Sequence, residues 1–190
     1  MPLETEGEPR YAALVTEQLK CLGHDLTANG LVETPNRVAR FHREHLGARG
    51  DAVIEAAGEL KPFEAPEDTG LVAIRVTFSS MCEHHIMPFE GYLQVVYQPQ
   101  QVVTGLSKIS RAARVICMRP QMQERIGAQL ADAVMAALAP VGVLVDVVGT
   151  HTCMTCRGIR DPQSRTRTRT VRGLFQTDRD LRDQAISMLL

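Results

Sequence analysis

The sequence predicts an α+β domain with antiparallel strands, and three observations lead to that class. The chain has 190 residues, which is about one domain, and 44% of them are hydrophobic, which is enough for a core. Helical segments come first and are followed by a pair of β-rich segments. Two helical segments, a second pair of β-rich segments and a closing helix then complete the chain. This order lacks the regular strand–helix alternation of a doubly wound parallel sheet, so each strand pair is expected to be antiparallel.

The N-terminal part is predicted to be helical. Residues 1–8 are expected to form a loose arm, and apolar spacing predicts a helix over 11–22. Thr34 and Pro35 suit the N-cap and the first position of a second helix that runs to about residue 46. A short helix near 52–60 follows, so residues 9–60 are predicted to be the helical N-terminal part.

Residues 68–190 are predicted to form the α+β core. The alternating and β-rich segments at 71–79 and 91–97 predict the first strand pair. The later elements are predicted as helices at 107–118 and 121–138, strands at 141–149 and 165–171, and a closing helix at 178–190. No linker or repeat interrupts the chain, so residues 1–190 are predicted to form one domain.

Composition argues against two classes of partner. The chain has 21 basic and 22 acidic residues, whereas nucleic-acid-binding proteins usually have a basic excess. The arginines at 165, 167 and 169 alternate with threonines, which predicts a solvated or intersubunit strand face rather than a nucleic-acid site. The longest apolar run, 133–145, is shorter than the ~20 residues of a membrane span, and no signal core is seen at the N-terminus. We expect a cytoplasmic protein.

Two segments predict a metal site. Cys82 and His85 have the spacing that lets one turn direct two ligands toward one ion, and the segment from residue 151 adds Cys153 and Cys156. Thiols in a reducing compartment are buried or bind metal rather than forming a disulfide framework. Thiolate and imidazole ligands favour zinc.

The spacing leaves two geometries open. All four residues could form a closed structural site, or Cys82, His85 and Cys153 could bind and leave one position for water, as in catalytic sites. An extended backbone over 150–155 would point Cys156 away from Cys153, whereas a tight turn at 154–155 would reverse this. The nearby His84 and His151 favour catalysis, since a structural site needs no further imidazoles.

The sequence resembles the GTP cyclohydrolase I family in four blocks. These are Glu33-Thr-Pro-Asn-Arg37, Cys82-Glu-His84-His85 with Pro88-Phe89-Glu-Gly91, Gly105-Leu-Ser107-Lys108-Ile-Ser-Arg111 with Gln123-Glu124-Arg125, and His151-Thr-Cys153-Met-Thr-Cys156-Arg157-Gly158. Their order and spacing resemble the family from about residue 10 to the C-terminus. Cys156 is the main departure, because the family has no metal ligand at that position.

The resemblance implies a fold, an assembly and a reaction. The fold is the tunnelling fold, an antiparallel sheet with helices on one side, whose subunits assemble into a barrel. The assembly is a toroidal homodecamer with its pockets between subunits. The reaction is hydrolysis of GTP at guanine C8, which releases formate and forms 7,8-dihydroneopterin triphosphate for pterin or folate-type biosynthesis.

The resemblance also implies roles for individual residues. Zn²⁺ is expected on Cys82, His85 and Cys153, with water at the open position. His84 and His151 are expected to transfer protons, and Glu124, with Gln123 beside it, to select guanine. The small-residue face that Glu124 shares would let a ligand approach the helix backbone closely. Without the resemblance, Glu124 would be assigned as a solvated carboxylate on a helix packed by its stripe of Met, Ile and Leu residues. The expected triphosphate-binding residues are Ser107, as a helix cap, with Lys108, Arg111, Arg157 and Arg37.

Two other functions compete with this hypothesis. The first is a non-catalytic binding module stabilised by zinc on four ligands, Cys156 included. The second is a sister enzyme of the same fold that acts on a pterin or a deazapurine. The sequence does not indicate which pathway would use the product.

Overall fold

The computed structural model describes residues 7–189, and the chain divides into two compact units, residues 1–48 and 49–190. Most of the predicted loose arm lies outside the described residues, and its last two residues, Gly7 and Glu8, belong to a helix. The prediction of one continuous domain stays a prediction. Within the described residues, no helix combines the length and the apolar character that crossing a bilayer requires.

The first unit contains the two predicted helices. Helix α1 spans Gly7–Cys21 and α2 spans Thr34–Leu46. The prediction that Thr34 is the N-cap is wrong: Glu33 occupies that position, and no side chain caps the helix. The Thr34 hydroxyl instead donates to the Gly30 carbonyl at 3.3 Å, so this side chain bonds to the preceding turn and not to a helix amide.

The second unit is a mixed α+β structure, which confirms the predicted class. Its strands are β1 (Pro62–Glu64), β2 (Val72–Cys82), β3 (Met87–Gln98), β4 (Val102–Thr104), β5 (Pro120–Gln121), β6 (Gly142–His151) and β7 (Thr166–Gly173). Five of them form a sheet in the order β5-β2-β3-β6-β7, and β1 pairs with β4. All pairs are antiparallel except β2 with β5. The four long predicted strands are confirmed, each with slightly different ends.

The β3–β6 register brings the two segments that carry the predicted metal ligands to the same end of the sheet. Phe89 lies opposite His151, and Gly91 lies opposite Gly149. A Cβ atom on Gly91 would lie 1.9 Å from the carbonyl oxygen of Val148, so no larger residue fits between these strands. Glycine at position 91 therefore permits the close strand contact from which the site is built.

Three helices cover one face of the sheet: α3 (Ala52–Glu59), α4 (Leu106–Cys117) and α5 (Gln123–Leu138). Ile126, Leu130 and Val134 follow the helical period on α5 and are fully buried. The small-residue face of α5 also packs against the sheet, because a Cβ on Gly127 would lie 3.2 Å from the Thr170 hydroxyl. At this position the close approach is made by strand β7, so the small residues do not themselves mark a ligand site.

The opposite face of the sheet is covered at one end by the C-terminus. A 3₁₀ turn at Leu174–Gln176 and helix α7 (Arg179–Ser187) pack Phe175 and Ala185 against the sheet residues Val96 and Leu144. Farther along this face, Arg167 and Arg169 both donate to the fully buried carboxylate of Asp146. Part of the predicted arginine face thus serves to neutralise a buried acid.

Candidate metal centre and active-site pocket

The first part of the site is the turn between β2 and β3. The Ile86 amide donates to the Cys82 carbonyl at 2.8 Å, and Ile86 has a φ of 51°. The Glu83 amide donates to the Gln121 carbonyl of β5 at 3.0 Å. These bonds hold the turn that carries Cys82, His84 and His85 against the end of the sheet.

The second part is the short helix α6, Thr152–Thr155, which follows β6 directly. The Thr152 hydroxyl donates to the Pro88 carbonyl at 2.5 Å and so ties α6 to the start of β3. The backbone over 152–155 is helical, so the extended arrangement considered from the sequence is wrong. Cys153 is half-buried at the site, and Cys156 is exposed.

Cys82, His85 and Cys153 form a group that could hold a metal ion. One ligand atom from each lies within 4.8 Å of the others, and Cys82 Sγ is 3.6 Å from His85 Nδ1. Among the residues described, Cys156 does not belong to this group. Burial and then the neighbouring Cys82 raise the pKa of Cys153, because two adjacent thiolates repel each other without a cation. Two thiols and an imidazole are a donor set that fits zinc.

Two further histidines flank this group. His84 is exposed, and its Nε2 lies 3.9 Å from a Glu83 carboxylate oxygen. His151 is half-buried and stacks on Phe89, with ring centroids 4.4 Å apart and an interplanar angle of 7°. Burial lowers the pKa of His151, and the negative charge of Glu124 partly opposes that shift. The neutral imidazole of His151 is therefore favoured at neutral pH.

Gln123 contacts His151 from the start of α5. Its Oε1 lies 3.0 Å from His151 Nε2, and its Nε2 donates to the Val147 and Thr166 carbonyls, each at 3.0 Å. The Gln123 side chain is 1% exposed. The protein itself thus uses both amide hydrogens of Gln123.

These side chains surround a cavity of about 360 Å³. Its lining residues are Cys82, His84, His85, Gln121, Met122, Gln123, Glu124, His151, Cys153, Met154 and Thr166. Glu124 is exposed in the first turn of α5. The structure thus places the three predicted metal ligands, both predicted proton-transfer residues and both predicted guanine-binding residues around one pocket.

The residues predicted to bind the triphosphate do not line this pocket. Ser107, Lys108 and Arg111 lie in the first half of α4, whose last residue, Cys117, accepts a hydrogen bond from Ser80 at 2.8 Å. At ~1.5 Å per residue, the first turn of α4 begins about 15 Å from that contact. Arg157 is exposed after α6, and Arg37 lies on α2 in the first unit. The expectation that Ser107 caps α4 is wrong, because the N-cap is Gly105.

The sequence did not predict the ion pair between Glu83 and Arg125. The Arg125 guanidinium donates to both Glu83 oxygens, at 2.6 and 3.1 Å, and lowers the pKa of that carboxyl. This pair links the turn that carries Cys82 and His85 to α5. Both residues lie within the recognised motifs, but no local spacing connects them.

The fold and the site define a candidate metalloenzyme, and comparison with known proteins identifies its family. The sequence matches the family GTP cyclohydrolase I over residues 11–190. A GTP cyclohydrolase 1 from Streptococcus pneumoniae is 41% identical over 180 residues, which cover 95% of this chain and 97% of the relative. A GTP cyclohydrolase 1 from Streptococcus mutans is 41% identical over 177 residues, which cover 92% of this chain and 91% of that relative.

The chain belongs to the GTP cyclohydrolase I family, which confirms the resemblance found in the sequence. A more distant similarity is to a solved structure of the archaeosine synthase QueF-Like in the apo form. That structure aligns with 56% of this chain and 97% of its own, at 20% identity and a TM-score of 0.45.

Proposed function

We propose that the chain is a GTP cyclohydrolase I that hydrolyses GTP at guanine C8, releases formate and forms 7,8-dihydroneopterin triphosphate. Zn²⁺ is its metal, held by Cys82, His85 and Cys153. The observation that carries the proposal is the placement of those three ligand atoms, within 4.8 Å of one another, in a pocket shared with two more histidines and Glu124. The 41% identical relatives named GTP cyclohydrolase 1 support the same substrate.

The metal and the two histidines have different tasks. Bound zinc supplies Lewis acidity, which makes a water molecule acidic enough to act as a nucleophile near neutral pH. A ring nitrogen of guanine must gain a proton before its bond to C8 breaks. His84 and His151 line the pocket and carry out the proton transfers, since imidazole gains and loses protons near neutral pH.

Glu124 selects guanine over adenine. Its carboxylate accepts from the N1–H and 2-amino groups of guanine, whereas adenine offers no such pair of donors. Its position in the pocket, beside the metal ligands, suits a contact with the base whose C8 is attacked. We assign Gln123 a different task, described below.

The triphosphate is bound by basic groups from three segments of the sequence. These are Lys108 and Arg111 near the start of α4, with the Ser107 hydroxyl, Arg157 after α6, and Arg37 on α2. Because the start of α4 is about 15 Å along that helix from its contact with Ser80, we propose that a second copy of the chain completes each pocket. The assembly is the homodecameric barrel of the tunnelling fold, and a cytoplasmic location stays our prediction.

The competing functions are less well supported. A structural zinc module with four ligands requires Cys156, and that thiol is exposed and outside the ligand group within residues 7–189. A sister enzyme acting on another substrate is disfavoured by the family match over residues 11–190.

The activity is tested by incubating the zinc-loaded protein with GTP and measuring formate and the fluorescent oxidised pterin. His84→Ala is expected to keep its zinc and to lose ring opening by about 100-fold or more, the usual contribution of a positioned acid or base. His24→Ala is the matched control, because His24 is exposed and outside the cavity lining. Full turnover by His84→Ala, or loss of its zinc, would contradict the role given to His84.

A further inference from the structure

The bonds of Gln123 determine which nitrogen of His151 carries the proton. Backbone carbonyls only accept hydrogen bonds, so the Gln123 atom that faces the Val147 and Thr166 carbonyls is the amide nitrogen. That nitrogen also lies 3.3 Å from the Thr168 hydroxyl. The remaining amide atom, Oε1, therefore faces His151 Nε2 at 3.0 Å. An amide oxygen only accepts, so Nε2 must be the donor.

We propose that Gln123 is a positioning residue that holds His151 as its Nε2–H tautomer and thereby leaves Nδ1 as the ring nitrogen available to the substrate. This inference rests on the proposed catalytic role of His151. Within residues 7–189, the structure gives His151 Nδ1 no hydrogen-bond partner. The lone pair on Nδ1 is thus the acceptor that this tautomer leaves free for the substrate.

The surroundings fix this arrangement in two further ways. The stack on Phe89, with planes 7° apart, sets the plane of the His151 ring. Gly149 provides the space for the carboxamide, because a Cβ there would lie 2.6 Å from Gln123 Oε1. The sheet therefore accommodates the Gln123 carboxamide with a residue that has no side chain.

The inference is tested on two variants that disturb the bond differently. Gln123→Met keeps the length of the side chain and removes its polar atoms. Gly149→Ala keeps the carboxamide and displaces its oxygen. The matched control is Gln94→Met, which changes another buried glutamine, on β3, on the face of the sheet that also carries Val96 and lies opposite α3, α4 and α5.

The first readout is the tautomer itself, measured by solid-state ¹⁵N NMR on zinc-loaded protein labelled in histidine, with the His151 signals identified by their loss in His151→Gln. We expect Nε2–H in the wild-type protein and in Gln94→Met, and a mixture of tautomers in Gln123→Met and Gly149→Ala. An Nδ1–H signature in the wild-type protein would overturn the inference. This readout needs no turnover, so it remains decisive even where the proposed function fails.

The second readout separates positioning from substrate contact. We expect kcat for GTP to fall about 10- to 100-fold in Gln123→Met, a loss typical of partners that orient a catalytic histidine, with KM changed far less. Gly149→Ala should shift kcat in the same direction, and Gln94→Met should retain it. A raised KM with unchanged kcat would overturn the inference and make Gln123 a direct substrate contact.

Discussion

The five cysteines occupy three environments that differ in reactivity. Cys117 is fully buried, and burial raises its pKa to about 12. The thiols of Cys21 and Cys156 are exposed, and those of Cys82 and Cys153 belong to the group that could hold a metal ion. Because the thiolate is the reactive form, exposure and metal binding together determine which thiols react with an alkylating reagent.

Alkylation followed by mass spectrometry should therefore separate the cysteines into three classes of reactivity. In the zinc-loaded folded protein, we expect iodoacetamide to modify Cys21 and Cys156 and to leave Cys117 unmodified. A chelator should make Cys82 and Cys153 reactive without affecting the other three. Protection of Cys156 by zinc to the same degree as Cys153 would contradict the three-ligand site.

Glu124 permits a second test at the scale of one residue. Glu124→Gln replaces an ionised acceptor with an amide, and a hydrogen bond to a charged group contributes ~1.5–3 kcal/mol. We therefore expect kcat/KM for GTP to fall about 10- to 100-fold. Inhibition by inorganic tripolyphosphate should not change, since that anion carries no base. An unchanged kcat/KM would remove Glu124 from the guanine site.

Motifs could predict which residues belong to the candidate site. They could not predict which other residues contact those side chains. The spacing of Cys82, His85 and Cys153 predicted a metal site, but the choice between three and four ligands depended on the backbone after His151. The helical turn at 152–155 is held by a bond from Thr152 to Pro88, which is remote in sequence. Partners such as Gln123 and His151 meet only through the packing of α5 on the sheet.

At the scale of elements, length and periodicity separate the successful predictions from the missed ones. Long segments such as α2, α5 and β2 have enough residues to show a period. The two-residue strand β5 has none, and it exists because its backbone pairs with the end of β2 beside Cys82. The four-residue helix α6 is likewise too short to be stable by itself.

The β3–β6 pair is the element on which the geometry of the site depends most. Gly91→Ala would place a Cβ against the Val148 carbonyl, a backbone atom that cannot rotate away. We expect a loss of about 2 kcal/mol or more in the free energy of unfolding, the scale of overpacking in a core. Weaker zinc binding should accompany it, because this register brings the Cys153 segment to Cys82.

Urea unfolding and zinc titration measure both effects. Gly58→Ala is the matched control, because an added Cβ on this exposed position of α3 meets nothing within 4 Å. It should stabilise the protein by up to ~1 kcal/mol through helix propensity. Equal unfolding midpoints for Gly91→Ala and the wild-type protein would contradict the close strand contact.

At the scale of the whole molecule, the pocket of one chain brings together the candidate metal ligands and Glu124, and no lysine or arginine among residues 7–189 lines it. The balanced charge of the sequence already indicated that any triphosphate site must be a local cluster of basic groups. A second copy supplies that cluster in the proposed assembly. The sequence alone could not predict that two copies share one site, because the sharing depends on where α4 begins in space relative to Cys82.

Coexpression of two defective chains tests whether sites are shared. One chain carries His84→Ala, and the other carries Lys108→Ala with Arg111→Ala. If each pocket combines two copies, mixed assemblies contain some intact pockets, and formate production should recover in part. Native mass spectrometry verifies that mixed assemblies form. Mixed assemblies that remain as inactive as their parents would show that each site lies within one chain.

The most direct test of the central claim measures zinc content and formate release from GTP in the same samples of wild-type protein, Cys153→Ser and Cys156→Ser. We predict one zinc per chain and full formate release for the wild-type protein and Cys156→Ser, and loss of both for Cys153→Ser. Formate release by zinc-free Cys153→Ser, or loss of zinc and formate release from Cys156→Ser, would contradict a catalytic site built on Cys82, His85 and Cys153.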